Sequence, residues 1–162
     1  MGDRTITRSY DEQEKKTKKV DAHIVDISFL PSRDVLLLLR SDFCIEFLRV
    51  QTRSNISTDT IESIGMQIIS QVYTKISVFD SSKESLKMFS AGASRIIDIW
   101  EIKMETFSRL SLEKSGSIDR HTDICRDILV VNNRQFALLV TAGLDGKVLV
   151  WDVLTLNLKG KR

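Results

Sequence analysis

Proline is almost missing from this chain, with Pro31 the only one in 162 residues. That excludes a Pro-rich linker and argues against a long disordered tail. Cysteine is nearly as scarce. Cys44 and Cys125 are the two present, each in an apolar, strand-like run. A disulfide framework needs more of them and a secretory setting, so both read as buried free thiols. Histidine also occurs twice, at His23 and His121. Two histidines and two scattered cysteines lack the clustered spacing of a zinc site. Asp119, Asp123 and Asp127 stand close together, yet the glycine and bidentate Glu of a calcium loop are missing. There is no glycine-rich phosphate cradle and no G-x-S-x-G nucleophile elbow. No metal or cofactor is therefore expected.

An excess of one charge is missing too. The 24 Lys and Arg nearly balance the 22 Asp and Glu, leaving +2, which makes no case for a nucleic-acid partner. Lys15-Lys16-Thr17-Lys18-Lys19 is basic, but Asp11, Glu12 and Glu14 stand directly before it. Residues 1–20 therefore read as a charged, solvated arm. No apolar run approaches the roughly 18–20 residues of a membrane span. The first residues lack a signal region, and Ile6 breaks a myristoylation pattern. The expectation is an intracellular, cytoplasmic chain with no membrane partner. Its 42% of hydrophobic residues suffice for one domain with a real core.

What is present is a repeat. Thr141-Ala142-Gly143-Leu144-Asp145-Gly146-Lys147-Val148-Leu149-Val150-Trp151-Asp152 sets Asp145-Gly146 between two apolar runs. That is a strong hairpin signal, read as a type I′ turn with positive φ at both residues. Fifty-one residues earlier, Ser90-Ala91-Gly92 through Ile99-Trp100-Glu101 lines up with it, Trp100 beneath Trp151. Fifty-two residues before that, Leu38 to Arg49 lines up again, anchored at Leu48. Each unit reads as strand, turn, strand, turn, strand. An outer fourth strand follows, at about 57–64, 106–112 and from 156. Runs such as Leu36-Leu37-Leu38-Leu39 are apolar at consecutive positions, as strands covered on both faces are. Residues 59–72 are ambiguous, because Ile61, Ile64 and Ile68 also fit one face of a helix.

His121, the hairpin and the closing Trp151-Asp152 together resemble the G-H…W-D pattern of a WD40 repeat. The resemblance covers about residues 20–162. It implies an all-β fold of WD40-type propeller blades, each a four-stranded antiparallel sheet, in units of about 21–65, 66–116 and 117–162. It puts His121, Thr141, Asp145 and Trp151 in a buried hydrogen-bonded tetrad. The second unit keeps Ser90 and Trp100, with Ser94 in place of the Asp. The first keeps His23 and Asp42, with Leu38 and Leu48 in place of Thr and Trp. Thr141, His121 and Asp145 also have the chemistry of a nucleophile, a base and a carboxylate. A triad would need that hydroxyl at an open cleft beside an oxyanion hole, and the structural reading is preferred.

Three blades do not close a ring, since propellers have four to eight. The chain is expected to be a fragment or subunit of a larger WD-repeat propeller assembly, with completion by another polypeptide or self-association as the alternatives. Family resemblance implies a non-catalytic scaffold that docks other proteins. A channel-face enzyme, and a binder of nucleic acid or acidic surfaces using Lys15–Lys19, Lys159, Lys161 and Arg162, are the alternatives. The long repeat and the Ser-Ala-Gly-x-Ser hairpin look somewhat like the WD-repeat proteins of ciliary axonemes, which would imply a cytoskeletal or ciliary setting.

Overall fold

Three successive sheets, each of four antiparallel strands, account for nearly all regular structure in the described residues. The computed structural model describes residues 22–51, 60–81, 86–106, 109–133 and 135–162. The N-terminal arm lies outside them. The first sheet orders β1 (Ile24–Leu30), β2 (Val35–Arg40), β3 (Cys44–Gln51) and β4 (Thr60–Ile68) side by side. The second does the same with β5 (Tyr73–Asp80), β6 (Leu86–Gly92), β7 (Ile96–Thr106) and β8 (Arg109–Asp119). The third holds β9 (Cys125–Asn132), β10 (Ala137–Gly143), β11 (Val148–Asp152) and β12 (Leu158–Lys161). Within each sheet every strand pairs with its neighbour in sequence. Only a single 3-10 turn, Pro31–Arg33, interrupts the strands among the described residues.

The repeat seen in sequence is a repeat of register. Leu38 pairs with Ile27 and Glu46, Ser90 with Ile76 and Asp98, and Thr141 with Ile128 and Leu149. Between the third and fourth strands each sheet slips at its anchor: at Phe47/Leu48, Ile99/Trp100 and Val150/Trp151. Such bulges strengthen the local twist of a strand pair.

Residues 60–68 form a strand rather than a helical face. Ile64 alone of the three isoleucines is buried, and Ile68 is 80% exposed. The outer strand of the second sheet also differs from its reading. Thr106 closes β7, and β8 continues to Asp119. The polar run Glu113-Lys114-Ser115-Gly116-Ser117 hides a strand because an outer strand has a solvated edge. There Lys103 pairs with Glu113 across the two strands.

Strand alternation gives each sheet two faces. In the first sheet, the face bearing Leu37, Leu39, Ile45 and Phe47 packs on the second sheet's Met88, Trp100 and Ile102. The opposite face of the second sheet, with Phe89, Ala91, Ile97 and Ile99, packs on Leu139, Leu149 and Trp151 of the third. We call the face turned toward the following sheet the back and the other the front. Two sealed apolar layers thus hold three sheets in series, and apolar burial is the dominant favourable term.

Polar bonds fix the angle of the stack. The innermost strand of each sheet is an edge whose N–H groups need partners. Asp26 accepts the N–H of Ile76 at 2.8 Å and lies 3.5 Å from Lys75. Ser77 accepts the N–H of Val130 at 2.9 Å. At the outer edge, the Gln67 amide donates to the Leu112 carbonyl at 2.8 Å and accepts its N–H at 2.6 Å.

Candidate functional site

The third sheet brings His121, Thr141, Asp145 and Trp151 into one chain of hydrogen bonds. The Trp151 indole N–H donates to Thr141 Oγ1 at 3.1 Å. Thr141 Oγ1 lies 2.9 Å from His121 Nε2, and His121 Nδ1 lies 3.0 Å from Asp145 Oδ1. Donor and acceptor inventories assign the directions. Asp145 can only accept, so Nδ1 carries the proton. Nε2 then accepts from the Thr141 hydroxyl, whose oxygen accepts from Trp151. Asp145 also receives the N–H groups of Thr122 at 2.9 Å and Lys147 at 3.1 Å. Thr141, His121 and Trp151 are at most 3% exposed.

Local geometry makes room for this. Gly143 is the residue over which the His121 ring and the Asp145 carboxylate fold. A Cβ there would stand 2.5 Å from His121 Nδ1 and 2.5 Å from Asp145 Oδ1. The hairpin is not the type I′ turn expected of Asp145-Gly146. Only Gly146 has positive φ, at 73°, and Gly146 N–H bonds the Gly143 carbonyl at 3.2 Å. Asp145 is turned inward to reach His121, and the glycine alone takes the left-handed position.

The carboxyl of Asp145 is held well below the ordinary range, first by the Thr122 N–H and then by His121 and the Lys147 N–H. A lowered native pKa stabilises the fold above the unfolded value of about 3.9 and loses that contribution as pH falls through the native value. Asp152, capped by the N–H groups of Thr155 and Leu154, is lowered in the same direction. Thermal melts from pH 7 down to pH 2 should therefore show a steep loss below about pH 4. Asp145→Asn should melt lower at pH 7 and flatten that acid limb. An acid limb unchanged in the variant would remove Asp145 from the network.

The second sheet keeps one link and rebuilds the rest. The Trp100 indole donates to Ser90 Oγ at 2.8 Å. The Ser94 hydroxyl, in the slot of Asp145, bonds the backbone of Ile96 in its own turn. The carboxylate has moved four residues on, to Asp98, which is fully buried. Tyr73 donates its hydroxyl to Asp98, and Lys114 Nζ lies 2.8 Å from Asp98 Oδ1. Burial, then the bond to Asp98, raises the Tyr73 phenol above its usual pKa. A tyrosine and a lysine thus replace the histidine. Sequence reasoning missed this trio. The available signal was Asp98 inside Ile96-Ile97-Asp98-Ile99-Trp100, since a charge in an apolar strand needs a partner.

Among the described residues, the first sheet has no such network. His23 is exposed, and its backbone N–H bonds Ser41 Oγ at 3.1 Å. Asp42 instead pairs with Arg40 at 2.9 Å, and Arg40 also pairs with Glu46. Leu38 and Leu48 offer no polar group for His23 to join.

That sheet carries a different feature. Phe43 has φ of 60° and occupies the register of Gly146, five residues before the anchor. A bulky residue in this left-handed region is a strained outlier. Its ring is 48% exposed and lines a cavity of about 200 Å³ with Val25, Leu39, Ile69, Val72 and Thr74. Strand direction places the turns at 41–43, 93–95 and 144–147, and the links at 69–72 and 120–124, on one rim of the stack. Ile68, Val72 and Leu144 are exposed there as well.

The cysteines are free and buried, and burial pushes the Cys125 thiol up to about 11. Among the described residues no group of three or more His, Cys, Asp or Glu could hold a metal ion. Lys15–Lys19 lie outside the described residues. Lys159 and Lys161 sit on β12, with Lys159 3.6 Å from Asp152.

Together the sheets are blades of a WD40-type β-propeller, in a series of three that does not close into a barrel. Among solved structures, the crystal structure of Saccharomyces cerevisiae Sqt1, a WD40 β-propeller protein, is similar to it, with a TM-score of 0.58 and 15% identity. The match covers 84% of this chain and 34% of that one, so the chain spans about a third of that structure's length. No family model matches the sequence, and no curated protein does.

Proposed function

We propose that this chain is a non-catalytic scaffold that docks other proteins on the turn rim of its blades. The observation that carries this reading is Phe43, an exposed aromatic held in a strained conformation beside an apolar cavity. Strain of this kind persists where the surroundings impose it, and it clusters at functional positions. The same cost would be removed by glycine, which the third blade has in that slot. The state of the tetrad supports the non-catalytic part. The Thr141 hydroxyl is fully buried and committed to both Trp151 and His121, so it is not presented to a substrate. An intracellular setting, cytoskeletal or ciliary in its narrower form, goes with this reading on the strength of the sequence resemblance.

The test sets stability against binding. Phe43→Gly should leave the fold at least as stable, with a gain of about 1 kcal/mol from relief of the left-handed residue. Proteins retained from an extract by the immobilised wild type, once identified and purified, should bind the variant at least tenfold more weakly. Equal binding by wild type and variant would contradict the rim as the docking surface.

A further inference from the structure

The stack has two terminal faces that no sheet covers among the described residues. On the front of the first blade, Ile27 is 53% exposed and Phe29 and Met66 are open too. They surround Leu38 and Leu48, the residues that stand where Thr141 and Trp151 stand in the third blade. On the back of the third blade, Leu129 is 58% exposed, beside Val131 and Val148. We propose that these faces are made for each other: the back of the third blade of one copy packs on the front of the first blade of a second copy.

Three observations carry this. The chain already makes the same back-on-front contact twice, between its first and second and its second and third blades, so the pairing continues an interface it demonstrably builds. The polar grip of the first contact also has a counterpart on the open face. Asp26 pairs with Leu39 and Asp127 with Ala142, and Leu39 and Ala142 each stand nine residues before the anchor of their own blade. Asp127 is therefore in the register from which Asp26 takes the Ile76 N–H at 2.8 Å. Asp127 is an exposed residue on the open back face, and its Oδ1 accepts the Ile128 N–H at 3.0 Å, which leaves Oδ2, the oxygen Asp26 uses, for the second copy. Ile27 of β1 has the register of Ile76, so its N–H is what Asp127 of another copy would meet. Asp26 keeps its own partners, Lys75 and Ile76, within its chain. Finally, the first blade's front presents leucines where the others present a network. At the positions of Leu38 and Leu48, burying it strands neither a hydroxyl nor an indole.

The contact is heterologous, with different patches on the two partners, and such contacts close into rings when the rotation permits. Two copies would give six blades, within the four to eight of known propellers. The pairing leaves the turn rim open, so it goes beyond the docking role proposed above.

Light scattering after size exclusion of the full chain tests it, with Ile27→Asp and Leu129→Asp as variants. Both residues are more than half exposed, and circular dichroism should show the wild-type strand content in each. The wild type should have twice the mass of one chain, and each variant the mass of one. A wild type at the mass of a single chain overturns the pairing and leaves the rim reading standing. Dissociation by only one of the two variants overturns it as well, because a back-to-back or front-to-front dimer would use one patch alone.

Discussion

Gly92→Ala should destabilise the protein by about 3 kcal/mol or more, at the upper end of overpacking effects. Gly92 pairs with Tyr73 at the start of the second blade. A Cβ on it would stand 2.2 Å from the Val72 carbonyl oxygen, 2.5 Å from Tyr73 Cα and 3.0 Å from Thr74 N. All three atoms are backbone, so no side chain can swing aside. Strand β5 must move, and with it the Tyr73 hydroxyl that serves buried Asp98. Gly160→Ala is the control. It sits in a strand, and its added methyl meets nothing within 4 Å. Chemical denaturation of both variants checks this. Equal midpoints would mean that β5 and β6 are not packed as described.

Thr141→Val should cost about 3 kcal/mol. The valine matches the threonine in shape, so the apolar layer is kept and only the hydroxyl is lost. That one oxygen serves two neighbours, the Trp151 indole N–H and His121 Nε2. Each is buried and would be left without a partner, at roughly 1–3 kcal/mol per group. Ser90→Ala in the second blade should cost less. The Ser90 hydroxyl touches both Trp100 and Tyr73, and Tyr73 keeps its bond to Asp98 when it is lost. Paired unfolding curves give the order directly, and a Ser90 variant hurt more than the Thr141 variant would reverse the ranking of the two networks.

The sequence revealed the parts of this fold that repeat in register. Apolar runs, turn residues and the anchors Leu48, Trp100 and Trp151 recur because each blade must bury the same strand positions. The tetrad was legible for the same reason, since its four residues occupy fixed offsets around one hairpin. What moved was hidden. Asp98 does the work of a carboxylate from inside a strand, and Tyr73 and Lys114 reach it from β5 and β8. No local pattern ties three residues on three strands together. Phe43 was equally hidden, because nothing in Ser41-Asp42-Phe43 announces a left-handed aromatic. The outer strands were misjudged where solvent lies along one edge, and the apolar signal fades.

The chain has only two tryptophans, and each anchors the buried network of its own blade. Indole N–H exchange measured by NMR on the folded protein therefore reads both blades at once. Both indole protons should be strongly protected. Thr141→Val should shift and expose the resonance of Trp151 alone, and Ser90→Ala that of Trp100 alone. An indole exchanging at the solvent rate in the wild type, or one variant moving both resonances equally, would contradict the description of these sheets as separately anchored propeller blades.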